Sequence, residues 1–82
     1  MKDNELKTLI LREIGNIAPE TELDQIEPSC NLREQVDLDS MDMLNLAIAI
    51  HEATGVDIPE ADYAKMASID DAVIYLRTRV RQ

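Results

Sequence analysis

The sequence predicts an all-α fold: a small four-helix bundle of three main helices and one short helix, with a long loop between the first and second helices. Three observations carry this expectation. Apolar residues recur at helical spacing in three separate segments. No stretch alternates polar and apolar residues for long enough to make a competing strand. The three prolines, Pro19, Pro28 and Pro59, all fall between those segments.

Leu6, Leu9, Ile10, Ile14 and Ile17 define the first helix. Asp3 or Asn4 is the expected cap at its start, and Pro19 stops it by disfavouring the helical turn before it. Gly15 costs roughly 1 kcal/mol relative to Ala inside a helix, so fraying of the last turn is expected. Residues 19–38 read as a long connection with one short turn, pinned by Leu23, Ile26, Leu32, Val36 and Leu38.

The second helix is expected from about Ser40 to Thr54. Its apolar face is read as Met41, Leu44, Ala47, Ile48 and His51, widened by Leu46 and Ile50. Gly55 suits a C-terminal cap that needs positive φ. Val56–Pro59 is an extended link, and Glu60–Met66 a short third helix starting behind Pro59. Ser68-Ile69-Asp70-Asp71 reads as a cap and acidic first turn. Ile69, Ala72, Val73, Leu76 and Val80 form the last apolar face, with Arg77, Arg79 and Arg81 at its end to match the helix dipole. The whole of 1–82 reads as a single domain without repeats.

Composition excludes several functions. One Cys rules out an intramolecular disulfide, and with one His it cannot build the zinc sites made of four such ligands. The longest strictly apolar run, Leu46–Ile50, is too short to span a bilayer. The polar start lacks the apolar stretch of a secretory signal, so a cytoplasmic location is the default expectation. Seventeen acidic residues against eight basic ones leave a net charge of −9, which phosphate backbones would repel. Residues 19–62 hold more than this whole charge. Such a stretch reads either as a solvated acidic surface or as a face that steers basic protein partners.

Ser40 lies where the second helix should begin, between Asp39 and Asp42. Ser and Asp are ordinary helix caps. As a nucleophile Ser40 lacks a base, because the one His, His51, is three turns along the same helix, and no glycine elbow precedes it. Attachment of a phosphate-containing group is better physical chemistry, since a helix start offers backbone N–H groups to an anion. Asp39 and Asp42 would repel that phosphate and need another reason to be there. Asp37-Leu38-Asp39 fails as a calcium loop, because Met41, Asp42 and Ile48 stand where a ligand, the turn glycine and the bidentate glutamate belong.

Leu38-Asp39-Ser40-Met41-Asp42 resembles the Asp-Ser-Leu attachment motif of the acyl carrier protein family. Ala47–Glu52, Val56-Asp57-Ile58-Pro59 and Ala67–Leu76 follow in register, so the likeness covers essentially the whole chain. The resemblance implies that Ser40 receives 4′-phosphopantetheine from coenzyme A through a phosphopantetheinyl transferase, with Asp39, Met41 and Asp42 as its recognition context. The arm would carry an acyl group as a thioester, and the protein would be a carrier rather than an enzyme. Further implied partners are acyl-loading, condensing or acyl-transfer enzymes with basic docking patches. Asp37, Glu52, Asp57, Glu60 and Asp62 are the docking candidates, and a monomer is expected. Leu44, Ile48, Ile58, Ala64, Ile69 and Leu76 are the expected shelter for the chain.

Set against the fatty-acid-synthesis carriers it resembles, Asn45 and His51 stand where acidic residues are frequent, which makes the second helix less acidic, and Thr54 stands where Phe is frequent. A fatty-acid carrier, a specialised acyl or polyketide carrier and an aminoacyl or peptidyl carrier therefore all stay open. An unmodified acidic interaction module shares the same fold and charge. Cys30 reads as an incidental loop residue and His51 as a partly packed surface residue that could tune docking with pH.

Overall fold

Helix α1 occupies Asp3–Ile17 of the computed structural model, which describes residues 2–80. Met1, Arg81 and Gln82 lie outside the described residues, and with them the expected basic end at Arg81. Leu6, Leu9, Ile10 and Ile14 form the buried stripe of α1. The helix starts one residue earlier than the caps read from sequence. Lys2 is the flanking residue, and its backbone N–H donates to Glu5 Oε1 at 3.0 Å. Asp3 therefore sits inside the first turn, where its charge suits the helix dipole. At the other end the Ala18 N–H donates to Ile14 O at 2.8 Å, and Pro19 follows. The last turn is intact despite Gly15. A Cβ there would come within 3.1 Å of Leu23 Cδ1, so the glycine lets the following chain approach closely.

The long connection holds more order than the single turn expected. It contains a 3-10 turn at Leu23–Gln25 and a one-turn helix, α2, at Leu32–Gln35. The Asn31 side chain caps α2 by accepting from the Arg33 N–H at 2.9 Å. The Gln35 carboxamide ties the loop together. Its oxygen accepts from the Glu27 N–H at 2.6 Å, and its nitrogen donates to Glu27 O and Cys30 O at 2.9 and 3.1 Å. Two backbone bonds join the connection to residues 67–70: Leu32 N–H to Ala67 O at 2.7 Å and Asp70 N–H to Pro28 O at 3.0 Å. Leu32, Val36 and Leu38 are buried as expected, while Leu23 and Ile26 pack half-buried against the core.

Helix α3 covers Ser40–Thr54 and ends at Gly55, whose φ of +78° makes the left-handed cap. Leu46, Ala47 and Ile50 of the expected apolar surface are buried as read, and the rest of the expected face is corrected by the structure. Met43, Leu46, Ala47 and Ile50 face the core, whereas Met41, Leu44 and Ile48 are 62%, 43% and 47% exposed, and His51 is exposed too. Both sets have helical spacing and differ by two residues, which is about 200° around the axis. The helix is apolar nearly all round, so periodicity alone could not choose between opposite faces. Packing against α1 does.

The expected short helix forms as a 3-10 segment at Glu60–Met66, following Pro59. Helix α4 spans Ile69–Arg77, and the Ser68 hydroxyl caps it by accepting from the Asp71 N–H at 3.0 Å. It ends about a turn before Val80, and Arg79 and Val80 return their N–H groups to Leu76 O at 2.9 and 2.8 Å. Tyr75 is buried beside the expected Ile69, Ala72, Val73 and Leu76. Helix α1 packs on both α3 and α4, and α4 also packs on the 3-10 segment. Leu6, Ile10, Ile14, Leu32, Ile50, Ile69 and Leu76 are wholly enclosed. Each stabilises the fold by about 1.5–3 kcal/mol relative to exposure. Among the described residues there is no strand, and no helix is long and apolar enough to cross a membrane.

Candidate functional site

Ser40 is the first residue of α3 and is exposed. Its neighbours explain their own presence. The Asp42 N–H donates to Asp39 Oδ1 at 2.9 Å, and the Asp39 N–H donates to Asp42 Oδ2 at 3.2 Å. This reciprocal capping box satisfies backbone donors that the first turn leaves unpaired. The two aspartates thus build the helix start that presents Ser40. Among the described residues, no hydrogen bond engages the Ser40 hydroxyl. His51 sits about 16 Å along the helix at 1.5 Å per residue. It lies 3.1 Å from Val56 O and 3.5 Å from Asp57 Oδ1, so it is no base for Ser40.

A groove of about 640 Å³ opens beside Ser40. One wall is the start of α3, with Met41, Met43 and Leu44. The 3-10 segment supplies Glu60, Tyr63, Ala64 and Met66, and α2 supplies Leu32 and Arg33. The lining is mainly apolar and soft, with polar groups at Asn31, Arg33, Ser40 and Glu60. Methionine walls adapt cheaply to a flexible apolar guest.

The structure divides the expected shelter residues. Leu44 and Ala64 line this open groove and are exposed rather than interior. Ile48 faces outward, Ile58 is half-buried against the core, and Ile69 and Leu76 are wholly enclosed. For Leu44 and Ile48 the correction follows from the face that α3 turns to the core. Sequence reasoning missed Arg33 and Tyr63 as lining residues. The Asn31-to-Glu34 spacing, a capping signal, could have revealed α2 and thereby Arg33.

The acidic docking candidates do not form one cluster. Asp37 is exposed along a smaller hollow of about 300 Å³ shared with Glu20 and Glu22. Glu52 is exposed near the far end of α3, Asp57 lies beyond it near His51, and Glu60 lies on the groove. Asp62 is engaged elsewhere. It accepts from the Tyr75 hydroxyl at 2.7 Å and pairs with Lys65 at 3.3 Å. The Tyr75 bond, aided by Lys65, holds its carboxyl below the ordinary value. Burial, then the Asp62 carboxylate, pushes the Tyr75 hydroxyl up.

This architecture recurs in known proteins. Residues 4–76 match the family model described as a phosphopantetheine attachment site. The acyl carrier protein of Rubrobacter xylanophilus is 31% identical over 52 residues, 63% of this chain and 64% of that protein. The meromycolate extension acyl carrier protein of Mycobacterium leprae is 29% identical over 68 residues, 83% of this chain and 56% of that protein. The chain therefore spans less than two thirds of the length of these curated relatives. Among solved structures, the acyl carrier protein from Enterococcus faecalis superposes with a TM-score of 0.79 at 22% identity, covering 96% of this chain and 99% of that one. That likeness is one of fold. With the family model spanning nearly all of its residues, the chain belongs to the phosphopantetheine-attachment family.

Proposed function

We propose that this protein is an acyl carrier whose prosthetic arm is attached at Ser40. The observation that carries the reading is an uncommitted hydroxyl on the first residue of α3, at the mouth of a mainly apolar groove of about 640 Å³. The residues fit the group. Ser40 is free to be esterified, Arg33 and Asn31 are polar lining, and Met41, Leu44 and Ala64 offer apolar surface. When attached, 4′-phosphopantetheine supplies a thiol on a long flexible arm, on which an acyl group is carried. This chain's residues do the rest. Asp39 and Asp42 hold the helix start in place, and the groove shields apolar atoms from water.

The proposed partners are a phosphopantetheinyl transferase and acyl-handling enzymes with basic patches. The net charge of −9 supports weak, salt-sensitive docking, which suits a shuttle that must leave each partner. Met41, Leu44 and Ile48 add an exposed apolar stripe along α3 that continues to Glu52. Asp37, Asp57 and Glu60 keep exposed side chains for such contacts, whereas Asp62 is held by Tyr75 and Lys65. Incubation with coenzyme A and a phosphopantetheinyl transferase tests the assignment. Intact mass should rise by one 4′-phosphopantetheine in the wild type and stay constant in Ser40→Ala. An unchanged wild type, or an arm on Ser40→Ala, overturns it.

A further inference from the structure

We propose that Arg33 is the cation that holds the phosphodiester of an arm attached to Ser40. The proposal rests on the reading of Ser40 as the attachment residue, and it names what receives the new negative charge.

The need for a cation follows from the site. A phosphodiester on Ser40 would sit beside the Asp39 and Asp42 carboxylates. A helix start ordinarily offers backbone N–H groups to an anion. Here the Asp42 N–H is already given to Asp39 at 2.9 Å, so the first turn has less to offer. Between Arg12 and Lys65 the chain holds thirteen acidic residues and one lysine or arginine, Arg33. That single cation is placed on α2, in the same groove as Ser40.

Its side chain is held for the task. The Nε–H donates to Leu38 O at 3.1 Å, two residues before Ser40, which ties the guanidinium to the segment leading into α3. Among the described residues no carboxylate pairs with Arg33, and no hydrogen bond uses its terminal nitrogens. Glu60, the one carboxylate lining the groove, is not paired with it. A guanidinium anchored through Nε keeps two terminal N–H groups in a plane, a geometry that matches two phosphate oxygens. Arg33 is itself exposed, so the core does not depend on its charge.

The test uses wild type, Arg33→Gln and Arg33→Lys, each treated with coenzyme A and a phosphopantetheinyl transferase. Intact mass first establishes full modification at Ser40. A wild type that takes no arm there overturns the attachment reading, and this proposal with it. On fully modified protein, two signals address Arg33 alone. The Arg33 Nε–H resonance should shift between the unmodified and modified wild type. The phosphorus-31 resonance of the arm should move in Arg33→Gln and return part of the way in Arg33→Lys, which restores charge without the fork. Raising salt from about 0.01 to 1 M should bring the wild-type phosphorus signal towards that of Arg33→Gln. A merely structural Arg33 would leave the phosphorus signal in place. Should Arg33→Gln fail to fold, the wild-type Nε–H signal and Arg33→Lys still decide. An Nε–H resonance unmoved by attachment, together with variant phosphorus signals that match the wild type, overturns the proposal while leaving Ser40 as the attachment residue.

Discussion

The Tyr75 hydroxyl donates to Asp62 Oδ2 at 2.7 Å, and this bond fastens the 3-10 segment Glu60–Met66 to α4. The 3-10 segment is also a wall of the groove beside Ser40. Lys65 pairs with the same carboxylate at 3.3 Å, and the Arg79 guanidinium lies 3.8 Å above the Tyr75 ring. One contact thus links the packing of α4 to the firmness of the groove. Tyr75→Phe keeps the buried ring and removes only the donor. Amide hydrogen exchange should then speed up across residues 60–66 while the middle of α1 keeps its protection, with a modest fall in melting temperature. Equal acceleration in both regions would show that the bond supports the whole fold rather than this wall.

The same pair predicts the pH limits of stability. Asp62 has its folded value lowered from 3.8, so the unfolded chain binds the proton more readily. Its contribution is complete above about pH 4 and is lost as pH falls through the lowered folded value. Tyr75 has its folded value raised from 10.0, so the unfolded chain ionises first. Its contribution is complete below about pH 10 and is lost as pH rises through the raised folded value. Denaturant melts across pH should show both slopes weakened in Tyr75→Phe. Unchanged acid and alkaline slopes would remove the pair from the account.

Two glycines should respond in opposite directions to alanine. Gly55 has φ of +78° and nothing within 4 Å of a built Cβ, so the cost of Gly55→Ala is backbone strain alone, about 1–2 kcal/mol. At Gly15 the backbone is helical, and alanine gains about 1 kcal/mol of helix propensity. Against that, the new Cβ meets Leu23 Cδ1 at 3.1 Å. Leu23 is half-buried on a surface turn, and its methyl end can yield by a few tenths of an ångström. Gly15→Ala should therefore raise the melting temperature, though by less than the full propensity gain. A lower value would mean that the Leu23 turn is too rigid to move.

Local chemistry made the ends of α3 legible from sequence. Asp39 caps one end, and Gly55 supplies the positive φ at the other. The inward face of α3 was legible only in part, because Met41, Leu44 and Ile48 repeat the spacing of Met43, Leu46 and Ile50 on the opposite side. Only the position of α1 distinguishes them. Ser40 was singled out because its motif is contiguous. The groove beside it was not, since α2, α3 and the 3-10 segment each contribute part of its lining. The bond from Tyr75 to Asp62 joins residues thirteen apart and leaves no periodic trace.

Asp39 both caps α3 and carries a charge beside Ser40, and its variants separate the two features. Its carboxylate caps α3 through the Asp42 N–H at 2.9 Å, and its charge stands next to the hydroxyl proposed for modification. Asparagine caps about as well as aspartate, whereas alanine costs about 1 kcal/mol. Asp39→Asn should therefore melt close to wild type, and Asp39→Ala distinctly lower. If a basic transferase reads the charge, both variants should be modified more slowly at Ser40, and added salt should narrow their difference from wild type. If Asp39 serves only to hold the helix start, Asp39→Asn should be modified at the wild-type rate while Asp39→Ala alone is slowed. Initial rates from intact mass at two salt concentrations, beside thermal melts of all three proteins, separate the outcomes.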